Sequence, residues 1–354
     1  MSNERLARRT KAKVLFAGTD ISEDIAPYLL SLDYLDAGEG ESDDLTIKLQ
    51  DRDGLWMFHW LEEAVEKAAA GKLKIQADII QENQKSDGKD ARLPCGDFEL
   101  DCVQASGPPS VVVMKATALG YSGSMRRTGK TRVWQNCSLS AIAKQLAAEG
   151  GMQCRFDAAS DPIYKRKDQW ETSDIAFLRK LCADAGLTLK AADGEIILFD
   201  ERVYEAKPPS LILKKGGGGY LKYNLKTGSA GTQYASCRVR YVNPDTGQCI
   251  EGIAKVSDYN AESETNQQLE IHEKADSPGE AKTLAEKHLR LRNKYAKTAV
   301  FTLPGNPWIA VGQTVQLDGW GGFSGKYFIC QAKHSLGQGG YTTEITMRKC
   351  LGGY

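Results

Sequence analysis

The chain has 354 residues, and its 46 lysines and arginines are matched by 46 aspartates and glutamates. This length suffices for two or three hydrophobic cores, so we expect several domains. Zero net charge provides no overall field that would steer the chain onto nucleic acid or an anionic membrane. The basic residues 1–12 lack the apolar segment of a signal peptide, and no apolar run is long enough to span a membrane. These features predict a soluble protein made in a cytoplasm.

Residues 13–118 have the pattern of a strand-rich domain that contains one helix. The segments YLLSLDYLD and DDLTIKLQD alternate apolar and polar residues on either side of the turn segment AGEGES, which predicts two strands. The segment at 51–71 has apolar residues at helical spacing and ends at Gly71, which predicts a helix. Strands are again predicted after it, by the segments KLKIQADIIQ, GDFELDCVQ and SVVVMKATAL.

Residues 119–206 contain two units in which a helix is followed by a strand. The first unit, CSLSAIAKQLAAEGGMQCRF, lies at 137–156. The second unit, at 169–200, begins with a helix whose N-terminus Thr172 or Ser173 can cap, and it ends in a hairpin. Two such units side by side predict a compact α+β block.

Residues 207–354 return to a strand-rich pattern. The boundary is the segment EAKPPSLILKKGGGGYLKY, since paired prolines and four successive glycines do not fit inside a regular element. The segments ASCRVRYV and CIEGIAKV predict strands joined by a turn, and Ser277, Pro278 and Glu280 form a capping box that starts a helix. Strands are predicted after it by TAVFTLP, QTVQLDGW, GKYFICQAKH and YTTEITMRK. Two similar half-barrel patterns thus flank the α+β block, which predicts a mixed β fold with an α+β insert.

The cysteines do not have the spacing of a zinc site or of a disulfide framework. No two of them are separated by two residues, their number is odd, and most lie in apolar patterns. We interpret them as reduced core residues: Cys95, Cys102, Cys137, Cys154, Cys182, Cys237, Cys249, Cys330 and Cys350.

The segment SMRRTGKTRVW, at 124–134, resembles a phosphate-binding P-loop. Gly129, Lys130 and Thr131 fit the pattern, but Ser124 occupies the position of its first glycine. A P-loop also needs a helix that begins at the lysine, whereas the residues after Lys130 are β-branched and aromatic. The sequence therefore argues against a nucleotide site.

Other catalytic and metal-binding patterns are incomplete. The DRDG segment at 51–54 lacks the glutamate of a calcium loop, and GYSGS at 120–124 is not a G-x-S-x-G elbow. The acidic residues at 33–44 are interpreted as a solvated loop, although a paired-carboxylate hydrolase stays open. No zinc motif arises from the histidines, which are His59, His272, His288 and His334. We therefore expect no catalytic, cofactor-binding or metal-binding residues, and no cofactor.

The six tryptophans could stack against sugars, but core or interface packing is the ordinary role of such residues. They are Trp56, Trp60, Trp134, Trp170, Trp308 and Trp320. The glycines around Trp320 mark a loop, which predicts that this tryptophan is the most exposed.

The order of these segments resembles the phage late control D family, the central baseplate hub of contractile tails, which is related to the hub part of VgrG spikes. The similarity lies in DDLTIKLQDRDGLW at 43–56, in the paired helix units, and in PGNPWIAVGQTVQLDGWGGFSGKYFICQAKH with GGYTTEITMR near the C-terminus. In the second helix unit the usual family order is matched by Gln169, Ser173, Asp174, Phe177, Leu178 and Gly186.

The resemblance implies two tube-protein-like β-barrels, at 13–118 and 207–354, which flank a LysM-like block at 119–206 and follow a basic arm at 1–12. It also implies a homotrimeric ring that adapts a sixfold tail tube to a threefold spike and lines the channel. The implied partners are the spike protein, the tail tube or a tube-initiator protein, and other baseplate proteins. The implied location is the virion tail baseplate, assembled in the host cytoplasm.

On this interpretation the chain is not an enzyme, does not bind nucleic acid specifically and does not insert into a membrane, and a separate protein supplies the spike tip. The alternative function is a peptidoglycan-binding protein that uses the LysM-like block as free LysM modules do. An ATP-using enzyme built on residues 124–131 is the weakest hypothesis. The residues of the subunit interface and of the channel are not evident from one sequence.

The serine at position 124 predicts that the chain does not bind nucleotide in the micromolar range. Calorimetric titration with Mg-ATP should give no heat of binding, and Lys130→Ala should leave the titration unchanged. Micromolar binding that this substitution abolishes would show that the segment is a P-loop after all.

Overall fold

A computed structural model gives the fold of most of the chain. It describes residues 8–38, 42–57, 73–84, 89–118, 124–192, 194–228, 233–244, 247–257, 259–260, 262 and 266–351. Within these ranges the chain is mostly β, as the alternating segments predict, and helices lie between groups of strands. Most of the predicted helix at 51–71 lies outside the described residues.

The N-terminal half forms one antiparallel arrangement with a short helix, α1 (Ser22–Ile25). Its strands are β1 (Arg9–Phe16), β2 (Thr19–Asp20), β3 (Leu29–Ala37), β4 (Asp44–Gln50), β5 (Lys74–Glu82), β6 (Ala91–Ser106) and β7 (Val111–Ala118). They pair in the order β3-β4-β7-β6-β5-β1-β2, and alternate apolar side chains form a core on one face of the sheet. Because β1 begins at Arg9, residues 9–12 of the predicted basic arm belong to this sheet.

The middle block contains helices and two small sheets. Its elements are α2 (Ser124–Arg127), β8 (Lys130–Ser138), α3 (Leu139–Glu149), β9 (Gln153–Asp157), β10 (Ile163–Thr172), α4 (Asp174–Ala185), β11 (Thr188–Ala192), β12 (Glu195–Phe199) and α5 (Glu201–Ala206). The two helix-plus-strand units predicted from the sequence are present, and α3 and α4 share one core with the β11-β12-β9 sheet. The cap of α4 is Ser173, whose side chain accepts a hydrogen bond from the N–H of Ala176.

The C-terminal half divides its strands between two sheets. Its elements are β13 (Leu211–Lys214), β14 (Lys222–Thr227), β15 (Ser236–Val242), β16 (Cys249–Lys255), β17 (Gln268–Ile271), α6 (Pro278–Asn293), β18 (Lys297–Pro304), β19 (Thr314–Asp318), β20 (Gly325–Gly337) and β21 (Gly340–Lys349). The sequence pattern suggested that the strands before and after α6 belong to one half-barrel. The structure corrects this, because β15, β16 and β17 form a separate sheet that packs on α6 with its own core.

Strand β20 joins the two halves into one sheet. Its residues 331–337 pair antiparallel with residues 31–37 of β3, a contact that we call the seam. The shared sheet has 13 strands. Eleven of them follow the order β14-β18-β21-β20-β3-β4-β7-β6-β5-β1-β2, and beside this path β19 pairs with β20 and β13 pairs with β19. No pairing among the described strands closes this sheet into a barrel, so the regions expected to be two separate barrels are continuous across the seam.

Gly252 allows helix α6 to lie directly on β16. A Cβ atom at this position would lie 2.2 Å from the backbone nitrogen of Lys282 and 2.4 Å from the carbonyl carbon of Ala281. Both are backbone atoms that cannot rotate away, so the separation between helix and strand requires a residue without a side chain.

Gly252→Ala should lower the free energy of unfolding by about 1–3 kcal/mol, the usual cost of an overpacked core. Gly339→Ala is the matched control, because a Cβ atom there would meet nothing within 4 Å. Urea unfolding followed by circular dichroism measures both variants, and equal stabilities would contradict the close approach.

Candidate assembly surface

The stretch that resembles a P-loop is part of a strand. Lys130 is the first residue of β8, and its Nζ lies 2.5 Å from Asp174 Oδ2. A Cβ atom at Gly129 would lie 2.9 Å from the carbonyl oxygen of Glu171, so the glycine allows two chain segments to approach closely. The Gly-Lys pair therefore has a structural explanation in the contacts of β8.

Asp174, in the first turn of α4, is completely buried at the centre of a charge network. Its Oδ1 lies 3.0 Å from Arg132 and accepts a hydrogen bond from Gln169 Nε2 at 2.8 Å. Arg132 also donates to both carboxylate oxygens of Glu149, at the end of α3, at 2.9 Å. The network ties β8 and β10 to both helices, and the family-type residues Gln169 and Asp174 are structural within it.

The histidines do not assemble a catalytic or metal-binding group in the described part of the chain. His334 is fully buried, and His288 Nε2 lies 2.8 Å from Glu273. His59 lies outside the described ranges, as does most of the GYSGS segment. Among the described residues, no three His, Cys, Asp or Glu side chains are grouped as ligands for a metal ion. None of the described helices combines the length and apolar character that crossing a membrane requires.

Two sequence interpretations of cysteines and tryptophans need correction. All nine cysteines are free thiols, but Cys102 and Cys249 are exposed rather than in a core. Trp320 was expected to be the most exposed tryptophan, yet it is only 5% exposed because its ring packs into the aromatic core of the C-terminal half. Among the described tryptophans the exposed ones are Trp170, at 70%, and Trp308, at 57%.

The seam has a buried polar centre. His334 on β20 lies directly opposite Tyr34 on β3, and the two rings stack with centroids 5.9 Å apart. The Tyr341 hydroxyl donates to His334 Nδ1 at 2.7 Å, and His334 Nε2 donates to the carbonyl oxygen of Ile309 at 3.1 Å. Burial lowers the pKa of His334 to about 4, so the ring is neutral at pH 7 and is held in one tautomer.

Lys190 of β11 attaches the middle block to the same seam. Its Nζ contacts Asp36 Oδ1, lies 3.2 Å from Asp43 Oδ1 and donates to the carbonyl oxygen of Ala37 at 2.9 Å. The other oxygen of Asp36 accepts a hydrogen bond from the N–H of Val311 at 2.8 Å. One buried carboxylate therefore contacts the N-terminal half, the middle block and the C-terminal half.

A second buried charge cluster joins the middle block to the C-terminal half. Arg348 on β21 is fully buried, and its NH2 group lies 2.6 Å from Glu201 and 2.6 Å from Glu205, both on α5. Arg290 of α6 lies 2.5 Å from Glu205, and Lys294 lies 3.7 Å from Glu201. Since desolvation offsets much of the attraction in buried ion pairs, their main effect here is to fix the relative positions of three elements.

One face of the shared sheet is polar across both halves. From β18 to β7, side chains at alternate positions point away from the cores, and partners in register form rows across the strands. One row is Thr302, Glu344, Lys333, Leu35, Asp44 and Thr117, and the next is Thr342, Ser335, Asp33, Thr46 and Lys115. Asp33 joins the rows, because it accepts a hydrogen bond from the Ser335 hydroxyl at 2.6 Å and lies 3.4 Å from Lys333 Nζ.

We call this surface the polar sheet face. The alternation within β3 and β4 was visible in the sequence and indicated a polar side for each strand. That the polar sides of distant strands align was not visible, because alternation does not report which strands are neighbours.

The described residues thus form a mostly β scaffold with buried charge clusters between its parts and one broad polar face. A profile of the family described as phage tail baseplate hub (GPD) matches residues 116–340. This match covers more than half of the chain, and the chain belongs to that family. The resemblance seen in the sequence is thereby confirmed.

Individual relatives agree with the family match. The probable baseplate hub protein of Escherichia phage P2 is 26% identical over 184 residues, which are 51% of this chain and 42% of that protein. The chain thus matches less than half of the length of this curated relative.

Solved structures show the same fold over nearly the whole chain. The tail protein from Neisseria meningitidis MC58 has a TM-score of 0.71 at 12% identity and covers 96% of this chain and 97% of its own. The E. coli c3393 protein, a component of the type VI secretion system with structural similarity to bacteriophage T4 tail proteins gp27 and gp5, has a TM-score of 0.54 at 10% identity. That match covers 97% of this chain and 78% of the E. coli chain.

The seam should make stability depend on pH through Asp43. Burial, together with the neighbouring charge of Asp36, outweighs the attraction of Lys190 and raises the pKa of Asp43 to about 6. A carboxyl group whose pKa is higher in the folded state favours folding below its unfolded pKa, and this contribution is lost as the pH rises through 6. Since one pKa unit corresponds to about 1.4 kcal/mol, the wild type should lose up to about 3 kcal/mol relative to Asp43→Asn between about pH 4 and about pH 7.

Asp33→Asn is the control of opposite sign. Burial alone would raise the pKa of Asp33, but hydrogen bonds from Ser335 and the charge of Lys333 outweigh it and lower that pKa. The wild type should therefore gain stability relative to this variant as the pH rises. Urea unfolding at several pH values measures both differences in the free energy of unfolding. If the wild type also gained stability relative to Asp43→Asn as the pH rises, Asp43 would be an ordinary ionised partner of Lys190.

Proposed function

We propose that this chain is the central structural hub of the baseplate in a contractile phage tail or a related injection system. In this role three copies form a ring between the sixfold tail tube and the threefold spike, and the ring surrounds the channel. The observation that carries the proposal is the shared sheet, which runs through both halves of the chain and presents one polar face. Membership of the baseplate hub family supports the same role.

The two halves extend from the seam in opposite directions within one sheet. The N-terminal half continues from β3 through β4, β7, β6, β5 and β1, the C-terminal half continues from β20 through β21, β18 and β14, and each half encloses a separate hydrophobic core. We assign residues 13–118 and 207–354 as two tube-protein-like units, each curved like one subunit of a tail tube. Two units in each of three chains provide six tube-like positions above and a threefold assembly below, which resolves the symmetry mismatch without any chemical reaction.

The polar sheet face is the surface that we assign to the channel. Its rows combine threonine, serine and charges of both signs, so it can contact water and passing cargo without a strong net field. The opposite face of the sheet packs against the two cores and cannot line a channel.

The middle block, residues 119–206, is assigned as a LysM-like brace. Lys190 fixes it to the seam, and Glu201 and Glu205 fix it to β21 and α6. A block that is held at two places by charged groups suits rigidity and docking to other baseplate proteins, and the role requires no catalytic residue. Of the basic arm proposed at residues 1–12, residues 9–12 form the start of β1.

The partners proposed for the ring are the spike protein below and the tail tube or a tube-initiator protein above. The ring would form in the host cytoplasm and remain in the virion tail baseplate. The alternative function is peptidoglycan binding by the middle block, which can be tested on the intact protein.

Native mass spectrometry of the purified chain should give a species of three times 38.8 kDa, or about 116 kDa. Cryo-EM with its tube and spike proteins should then show one trimer between them, with the polar sheet face toward the axis. A stable monomer that joins neither partner would refute the hub role. Retention of the intact protein on purified peptidoglycan, competed by chitin oligomers, would favour the alternative.

A further inference from the structure

Strand β14 is an open edge of the shared sheet. It pairs only with β18 among the described strands. Just beyond it, Gly228 N–H donates to the carbonyl oxygen of Ala296. Because hydrogen-bonded positions alternate along an antiparallel pair, Tyr223, Leu225 and Thr227 direct their backbone N–H and C=O groups to the open side.

The second half of β6 is the corresponding edge on the other side of the sheet. Pairing of β6 with β5 reaches Glu99, and Leu100 N–H donates to the carbonyl oxygen of Leu73. Beyond this point residues 102–106 pair with β7, and no other described strand pairs with them. An unpaired strand edge of this kind is a template for a strand from another chain.

The directions of the strands allow these two edges to join. From β14 to β6 the order is β14-β18-β21-β20-β3-β4-β7-β6, and each of the seven neighbouring pairs is antiparallel. An even number of strands places β14 and β6 in opposite directions. Adding β14 of one copy to β6 of the next therefore continues an antiparallel sheet, with the polar sheet face on the same side in both copies.

The apolar side chains on the two edges match. On the polar side β14 carries Lys222 and Lys226, and the open part of β6 carries Cys102, Gln104 and Ser106. The acidic residues Asp101, at the bulge, and Glu99, opposite Lys74 of β5, come just before that open part. On the opposite side Leu221 is 61% exposed and Tyr223 is 49% exposed. The second half of β6 offers the apolar residues Val103 and Ala105 on that side.

A competing edge, on β1, is less suitable. Its open side faces a groove of about 540 Å³ whose opposite wall is formed by residues 336–338, at the end of β20 in the same chain. It also carries Arg9, Lys11 and Lys13, of which Arg9 and Lys11 pair with Glu82 of the neighbouring strand β5. Lys13 has the same sign of charge as the lysines of β14, which disfavours pairing of the two strands.

We propose that β14 of one copy pairs with the second half of β6 of the next copy, which joins the shared sheets of neighbouring subunits edge to edge. The inference rests on the trimeric hub proposed above and identifies its subunit contact. The interface is head-to-tail, since two different edges meet, and such contacts form a closed ring when the rotation between copies is one third of a turn. Closure would leave neither edge open in the assembled hub.

Cross-linking through the native Cys102, which is exposed on the polar side of β6, tests the pairing. The background is Cys249→Ser, which removes the other exposed thiol. Asn224→Cys and Lys226→Cys each place a thiol on the polar side of β14, and a short bismaleimide reaches direct and diagonal neighbours on facing strands, which lie up to about 8 Å apart. Lys11→Cys on the β1 edge is the matched control.

We expect a ladder of dimer and trimer on a denaturing gel for the β14 variants, little cross-linking for Lys11→Cys, and loss of the ladder when Cys102→Ser is added. A head-to-tail contact gives a covalent trimer, whereas a twofold contact stops at a dimer. Native mass measurement separates the two proposals. If the protein is a trimer but the β14 variants do not cross-link, or the Lys11→Cys variant does, the proposed interface is wrong and the hub proposal still stands. If the protein is a monomer at all concentrations, both proposals are wrong.

Charge reversal provides an independent measurement. Lys222→Glu with Lys226→Glu should weaken the trimer at least about tenfold, because negative charges would then approach Glu99 and Asp101, which lie just before the open part of β6. Lys144→Glu with Lys180→Glu makes the same change of net charge at exposed positions of the middle block and should leave the trimer intact. Equal effects of the two double variants would show that overall charge, not this edge, controls assembly.

Discussion

The antiparallel pairing of β3 with β20 is the contact on which the rest of the structure depends. It places residues 31–37 beside residues 331–337, so strands from opposite ends of the chain form one continuous surface. The polar rows of that surface exist only in this register, since a shift by one residue would turn each polar position toward a core. The His334–Tyr34 stack and the hydrogen bonds of His334 lie within the contact and define the register.

Buried charges determine how the middle block sits on this sheet. Lys190 between Asp36 and Asp43, and Arg348 between Glu201 and Glu205, are satisfied only when the parts meet in one arrangement. Apolar surfaces tolerate sliding, whereas a buried ion without its partner is strongly unfavourable. The combination gives a molecule whose parts have separate cores but fixed mutual positions.

Local features of the sequence predicted local structure well. Alternation located β3, β4 and β7, and a serine and a glycine marked the ends of α4, because these signals depend on neighbours in the chain. The features that the sequence predicted wrongly depend on residues that are distant in the chain. Trp320 is buried because aromatic side chains from other parts of the chain cover it. Strands β15 to β17 form a sheet of their own that packs on α6, and Gly252 permits the close contact between them.

For the candidate assembly surface, too, the sequence predicted local features and missed those that depend on distant residues. The family resemblance pointed to the role, and alternation indicated a polar side for each strand. Neither indicated which strands meet, nor that Lys130 and Lys190 bind buried carboxylates, since those carboxylates lie 44 and about 150 residues away in the chain. Pairing across such separations is settled by the global fold.

The seam also has a consequence for how the protein is made. The two strands that meet there are separated by about 300 residues, which a ribosome adds in roughly 15 to 60 seconds at 5–20 residues per second. Throughout that interval β3 has no β20 beside it, and the nascent chain presents an unpaired strand edge to its neighbours on the same messenger RNA. The shared sheet is consequently completed only after β20 and β21 have left the ribosome.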